Sequence, residues 1–260
     1  MWQEERRQRI RSRLATFGHV SVDQATSEFG VSRETIRRDL MEMEAYGELR
    51  RMRGGAIPVE EEREAPYTVR SSVRVKEKRS IAACAARLIE SGQTLFLDAG
   101  STTAILSERL SGLSGLTVIT NSLKVASNMT EHVGSGTRSN RIVLIGGEFN
   151  SEPPATFGDV TINEIGRYHA DLALLSPFGL DAGKGATSFD PREAEVARSM
   201  IANATRTAIL ADHSKMGIVS RISFCPVPDI AHLVVDARAL QKAGFSAIEA
   251  LAQDVMVGTQ

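Results

Sequence analysis

The apolar positions of this chain follow a helical period near the N-terminus and change to unbroken apolar runs further on. Ile10 and Leu14 stand four apart among charged neighbours, which predicts a helix over residues 4–16 that stops at Gly18. His19 to Val22 is a short apolar strand. Ser21 opens a second helix, with Gln24 as its capping-box partner and Ala25 and Phe29 as its buried stripe. Gly30-Val31 forms a tight turn, and Ser32 caps a third helix that ends at Gly47. Helix, glycine-bearing turn, helix is the helix-turn-helix pattern. Leu49 to Arg53 is strand-like and Gly54-Gly55 closes a small hairpin, so residues 3–58 are expected to form a winged helix-turn-helix.

From Pro58 to Arg74 there are two prolines, an acidic run and no steady apolar period, and residues 59–74 read as a linker. Beyond it the runs at 94–98, 116–120, 141–145, 171–175, 207–212 and 232–236 are apolar throughout. They alternate with helices over 76–91, from Ser101, and over 122–130, 160–168 and 191–204. Such alternation predicts a parallel sheet covered on both faces. The fold class is therefore α/β: a winged helix-turn-helix followed by a Rossmann-like parallel-sheet domain over 75–237. The run at 232–236 is read as the last strand. Residues 238–260 form a helical tail, in which Ser246 and Glu249 make a capping box.

Composition narrows the classes of function. Apolar residues make up 42% and charged residues 24%, which excludes a wholly disordered chain. No run approaches the 18 apolar residues a membrane helix needs, and MWQEERRQRIRSR is charged where a signal peptide is apolar, so a cytoplasmic protein with no membrane partner is expected. Cys84 and Cys225 stand alone, with no CxxC and no Cys/His ladder, so neither metal nor cofactor is expected, and Cys84 in IAACAARLI reads as a small buried residue. The net charge of −1 hides an asymmetry: residues 1–56 hold 11 basic and 9 acidic residues, net +2, which leaves −3 for the rest. All 11 basic residues are arginine, the side chain that forks onto bases and phosphates, although 25 Arg against 6 Lys in the whole chain dilutes that signal.

Position says more than count. On the third helix Ile36, Leu40 and Met43 share one face, while Glu34, Arg38 and Met41 face the other way, flanked by Thr35 and Arg37. Ser32, Arg33, Thr35, Arg37 and Arg38 lie in its first two turns, where a recognition helix meets base edges. A solvated helix with a Glu34–Arg38 pair has the same wheel, but the basic hairpin Arg50, Arg51, Arg53, Gly54, Gly55 beside it favours double-stranded DNA.

In the second domain LDAGSTT runs straight from a strand into a helix. Gly100 permits the turn, and Ser101, Thr102 and Thr103 bring hydroxyls and free N–H groups to a helix start, an anion site by geometry, or else a plain helix cap. Asp98 ends the strand. Thr120-Asn121-Ser122, Gly146-Gly147-Glu148 and Asp212-His213-Ser214-Lys215 also follow strands, and in a parallel sheet all these loops converge on one edge. A hydroxyl loop, an amide, a glycine pair and a lysine together point to a phosphorylated polyol.

VSRETIRRDLMEMEAYGELRRMRGGA resembles the N-terminal signature of the DeoR family of bacterial transcriptional regulators, with its TIRRDL recognition helix and a basic stretch closing in GGA. Met52-Arg53 departs from the Val-His common there. EKRSIA, LDAGSTT, VITNSL, LIGGE and ADHSK follow in the order of that family's sensor domain, so the resemblance spans nearly all of residues 1–236. It implies a sensor similar in fold to ribose-5-phosphate isomerase and a phosphorylated sugar effector. By that resemblance Asp98, Gly100, Ser101, Thr102, Thr103, Asn121 and Lys215 are effector residues, with Gly146, Gly147 and Gly179 as weaker candidates. The expected protein is a ligand-responsive repressor of a carbohydrate catabolic operon, released from its operator by that effector and working as a homo-oligomer, dimer or tetramer. The alternative is a sugar-phosphate isomerase-like enzyme, for which Asp171, Asp181, Glu193 and Glu195 are the candidate bases. No acid-rich loop stands in SPFGLDAGKG, and no nucleophile accompanies His213, so no catalytic residue is expected.

Overall fold

The structure is a computed structural model that describes residues 2–17, 19–46, 48–52, 54–58, 65–130 and 140–259. The chain divides into two units, Met1–Arg63 and Glu64–Gln260. The stops expected at Gly18 and Gly47, and Arg53 of the hairpin, lie outside the described residues.

The first unit runs α1 (Gln3–Phe17), β1 (Val20–Ser21), α2 (Val22–Phe29), α3 (Arg33–Ala45), β2 (Leu49–Met52) and β3 (Gly55–Pro58). Its core is the stripe read from the sequence: Ile10 and Leu14 from α1, Ala25 and Phe29 from α2, and Ile36, Leu40 and Met43 from α3. The turn between α2 and α3 works because Gly30 adopts φ 65, ψ 33 and returns its N–H to the Thr26 carbonyl at 3.1 Å. The three strands form an antiparallel sheet in the order β1-β3-β2. The expected capping box at Ser21 does not form: α2 starts without a side-chain cap.

The second unit begins earlier than expected. α4 (Tyr67–Ser72) lies inside the stretch read as linker, followed by α5 (Val75–Ala85), and Tyr67 is buried. Then come β4 (Thr94–Leu97), α6 (Ser101–Leu110), β5 (Thr117–Thr120), α7 (Leu123–Thr130), β6 (Arg141–Leu144), β7 (Glu148–Ser151), β8 (Pro154–Phe157), α8 (Asp159–Ile165) and β9 (Ala170–Leu175). β10 (Gly179–Asp181), β11 (Gly185–Ser188), α9 (Pro191–Ala202), β12 (Ala204–Ala211), β13 (Ile222–Cys225), β14 (His232–Asp236), α10 (Phe245–Glu249) and β15 (Val255–Gly258) complete it.

The main sheet has seven strands, all parallel, in the order β15-β14-β12-β9-β4-β5-β6. Alternate residues of each strand enter opposite cores. Leu95, Leu97, Leu172, Leu174 and Leu210 pack with α5 and α6 on one face, while Phe96, Ala173, Leu175 and Ile209 pack with α9 and α10 on the other. The tail is not purely helical: β15 adds a seventh strand beside β14, and α10 starts at Phe245 after Gly244, which leaves Ser246 inside the helix rather than at its cap. Two antiparallel additions, the hairpin β7-β8 and the sheet β10-β11-β13, arise from segments whose alternation is too short to read from sequence. The chain fills the sheet outward from β4 to β6, then returns to place β9 on the other flank of β4. That reversal makes the C-terminal ends of β4 and β9 the topological switch point, where open α/β sheets hold ligands.

Candidate functional site

In the first unit α3 presents what the wheel predicts. Ile36, Asp39, Leu40 and Met43 are buried, while Ser32, Arg33, Glu34, Arg37 and Arg38 are exposed and Thr35 is half-buried. Ser32 caps the helix by accepting the Thr35 N–H at 3.1 Å. Behind the helix, Arg6 of α1 grips Asp39 with a two-pronged pair at 2.7 and 3.1 Å, both residues buried, and Arg7 pairs with Glu42. Arg11 pairs with Glu48 at 2.9 Å, and Arg13 with Glu28. Four of the unit's arginines thus brace α1 against its neighbours, a structural use the charge count could not separate from nucleic-acid chemistry.

Three of the outward arginines, Arg33, Arg37 and Arg51, line one groove between α3 and the hairpin together with Asp23, Met52, Gly54 and Gly55. Arg33 reaches Asp23 at 3.0 Å, and Arg38 lies 3.4 Å from Glu42. Arg51 holds Glu44 at 2.6 Å from its guanidinium and 2.9 Å from its backbone N–H; those two bonds keep the Glu44 carboxyl below its ordinary value. Arg50 is exposed on β2. Gly55 is buried where β3 crosses β1, and a Cβ there would sit 2.0 Å from the Val20 carbonyl oxygen. Its glycine therefore shapes the hairpin from within, whereas Gly54, exposed at φ 89, forms the tip.

In the second unit two adjoining hollows open at the switch point and share Arg70 and Ser176. The first is cationic. Arg70, Arg74, Lys78 and Lys215 surround the start of α6 at Ser101 and Thr102, with Asp212 as the acid among them. Lys78 is buried, and its ammonium donates to the Ser101 hydroxyl at 2.9 Å and to the Arg70 carbonyl. Burial brings its pKa down to about 8 from 10.5, with Asp212 pulling the other way. Burial works against ionisation of Asp212. The Ser214 hydroxyl at 2.6 Å and amide at 2.9 Å, with Arg74 at 3.2 Å, outweigh it and hold the carboxyl below its ordinary value. Lys215 lies 5.3 Å over the Phe178 ring.

The second hollow is mixed. Asp98, Asn121, Ser176, Ser188 and Glu193 supply polar groups, and Phe157, Val196 and Phe224 supply apolar wall. Asn121 donates its amide to the Thr156 carbonyl at 2.9 Å, while its buried Oδ1 has no partner. An orphaned buried acceptor is costly, and the residue that carries it also lines the hollow. Asp98 accepts from the Gly100 N–H at 2.9 Å, the Thr103 hydroxyl at 2.6 Å and, across the switch point, the Ser176 N–H at 2.6 Å. Burial raises its pKa against those three bonds.

Of the residues expected to meet an effector, Asp98, Gly100 and Asn121 line the mixed hollow, and Ser101, Thr102 and Lys215 the cationic one. Thr103 and Thr120 are turned inward, onto Asp98 and the Ser122 N–H. Gly146 and Gly147 line neither hollow; Gly147 lets the chain pass Thr161, whose hydroxyl would lie 2.0 Å from a Cβ at that position. Gly179 likewise serves packing, beneath the Ile218 carbonyl. Of the four acids weighed as bases only Glu193 reaches a hollow, accepting from Ser188 at 3.1 Å; Asp171 instead takes the Thr94 N–H and Asp181 the Gly183 N–H. Arg70, Arg74 and Lys78 were not foreseen. Lys78 left a signal, since 78, 81, 82 and 85 form the apolar stripe of α5 and a lysine stands at its first place. Arg70 and Arg74 left none, because their stretch has no period.

No helix among the described residues is long and apolar enough to cross a membrane. Residues 6–62 match a family described as DeoR-like helix-turn-helix domain, and residues 73–237 one described as DeoR C terminal sensor domain. The chain is 30% identical over 237 residues to the glycerol-3-phosphate regulon repressor of Escherichia coli, covering 91% of this chain and 92% of that one. It is 33% identical over 237 residues to the transcriptional repressor GlcR of Bacillus subtilis, covering 91% and 89%. Among solved structures a ribose 5-phosphate isomerase from Methanocaldococcus jannaschii overlays with a TM-score of 0.37 at 16% identity, over 53% of this chain and 52% of that one.

Proposed function

Because the chain belongs to the DeoR family of DNA-binding transcriptional regulators, we propose that it represses a carbohydrate catabolic operon and leaves its operator when a phosphorylated sugar or polyol fills the two hollows of the second unit. The observation that carries the ligand class is the pairing of those hollows. Four cations and a helix start suit a dianionic phosphate, and beside them an orphaned amide oxygen and two acids suit hydroxyl groups. Operator contact falls to Ser32, Arg33, Thr35, Arg37 and Arg38 on α3, with Arg50, Arg51, Arg53 and the Gly54 tip on the hairpin. One winged module buries little surface, so a homo-oligomer on paired half-sites supplies the affinity.

Binding sites are selected from a random duplex pool, and the selected DNA is then titrated in gel shifts with a panel of sugar phosphates and their unphosphorylated parents. Release by a phosphorylated member alone is the expected result. Turnover of any panel member by the purified protein would instead favour the isomerase-like reading, with Glu193 as its base.

A further inference from the structure

The stretch that leads from the DNA-binding unit into the second unit also builds the cationic hollow. α4 is fastened by Tyr67, which is buried, and by the Thr68 N–H, which donates to Glu152 at 3.0 Å. Arg70 lies 5.6 Å over the Tyr67 ring and lines both hollows. Arg74 is, among the described residues, the one non-glycine with positive φ, at 53°, and it pairs with Asp212 at 3.2 Å. Strain of that kind persists only where the surroundings over-determine it. The Lys78 ammonium joins the Arg70 carbonyl to the Ser101 hydroxyl, so the end of α4 and the start of α6 share one charged group.

We infer that residues 65–74 are a ligand-reading segment: Arg70 and Arg74 bind the effector's phosphate together with Ser101, Thr102, Lys78 and Lys215, and the resulting change in this segment passes to the DNA-binding unit through residues 59–64. The inference rests on the sugar-phosphate reading above. The electrostatics supply the switch. Without an anion, Asp212 is the acid that offsets four cations in the hollow, and Arg74 is held on it. A phosphate at the start of α6 competes for Arg74 and draws Arg70 and Lys78 toward the same charge. Two of the cations that gain sit on the segment covalently joined to residues 59–64, so the ligand favours one arrangement of that segment over another. That differential affinity is what an effector needs in order to shift a population.

The test uses the full-length protein and inorganic phosphate. Phosphate affinity is measured by calorimetry, and amide hydrogen exchange is followed with and without saturating phosphate. Slower exchange across residues 67–78, with a loss of phosphate affinity of about tenfold in Arg70→Ala and in Arg74→Ala, is the expected result. Glu152→Ala removes the acceptor of the Thr68 N–H and so loosens the start of α4, while touching no residue that lines either hollow. It should bind phosphate within about threefold of the native protein yet lose the effect of phosphate on DNA affinity. Native affinity in both arginine variants, or unchanged exchange over 67–78 when phosphate is bound, overturns the inference and leaves the effector reading standing. Failure of the native protein to bind phosphate at tens of millimolar overturns both.

Discussion

Lys78 is a charge on a stripe otherwise made of Ile81, Ala82 and Ala85, and its cost is met by the Ser101 hydroxyl and the Arg70 carbonyl. Its pKa of about 8 has a direct consequence for binding. A phosphate favours the ammonium, so the bound state holds the proton to higher pH than the free state. Anion affinity should therefore be level just below pH 8 and fall by about tenfold per unit above it, while the ligand's own second ionisation limits binding below about pH 6. Lys78→Met should weaken phosphate binding by about tenfold or more at pH 7 and flatten the alkaline limb, which calorimetry across pH would record. In the other unit, Arg37→Ala and Arg38→Ala should each cost ~1–3 kcal/mol on the selected operator if their contacts are to bases. Arg51→Ala should weaken operator and scrambled DNA alike and lower the salt slope by about 1. Gel shifts at several salt concentrations separate the two behaviours.

Between elements, the boundary at α4 decides where the second unit can be cut. A fragment starting at residue 75 lacks Tyr67, Arg70 and Arg74, whereas one starting at 65 keeps the cationic hollow whole. Both should fold around the seven-stranded sheet, but only the 65–260 fragment should bind phosphate near the full-length affinity. Equal affinity in the two fragments, measured by calorimetry, would remove α4 from the site. The same element shows where sequence reading ends. α3 was legible because Ile36, Leu40 and Met43 repeat along thirteen helical residues, and β4, β5, β6, β9, β12 and β14 because their runs are apolar throughout. α4 has six residues, begins after Pro66 and is positioned by tertiary contacts from Tyr67, so no local period announces it. β15 has three apolar residues and becomes a strand only because β14 offers it an edge. A glycine pair after a strand has two uses, ligand contact and packing, and the close pass of Thr161 accounts for Gly147 by packing, whereas a Cβ at Gly146 would meet nothing within 4 Å.

At the scale of the whole molecule the question is what an occupied hollow does to an operator that the other unit holds. A phosphorylated sugar or polyol should bind the full-length protein at least ~10-fold more tightly than its unphosphorylated parent. The parent can satisfy Asn121 Oδ1 and the acids of the mixed hollow, but it leaves four cations facing one carboxylate with no anion to gather them. Each buried polar group left without its partner costs ~1–3 kcal/mol, so a parent that fills only one hollow forfeits most of the gain. Thr102→Ala and Lys215→Ala should lower effector affinity and leave the groove at Arg33, Arg37 and Arg51 as it is, since those residues belong to the other unit. By linkage, a variant that binds effector poorly on and off DNA has lost the free energy that moves it between the two states. In cells both variants should therefore repress a reporter behind the selected operator whether or not the sugar is supplied. A reporter that stays inducible in both, with the proteins folded and at native abundance, would place the inducing anion somewhere other than the start of α6.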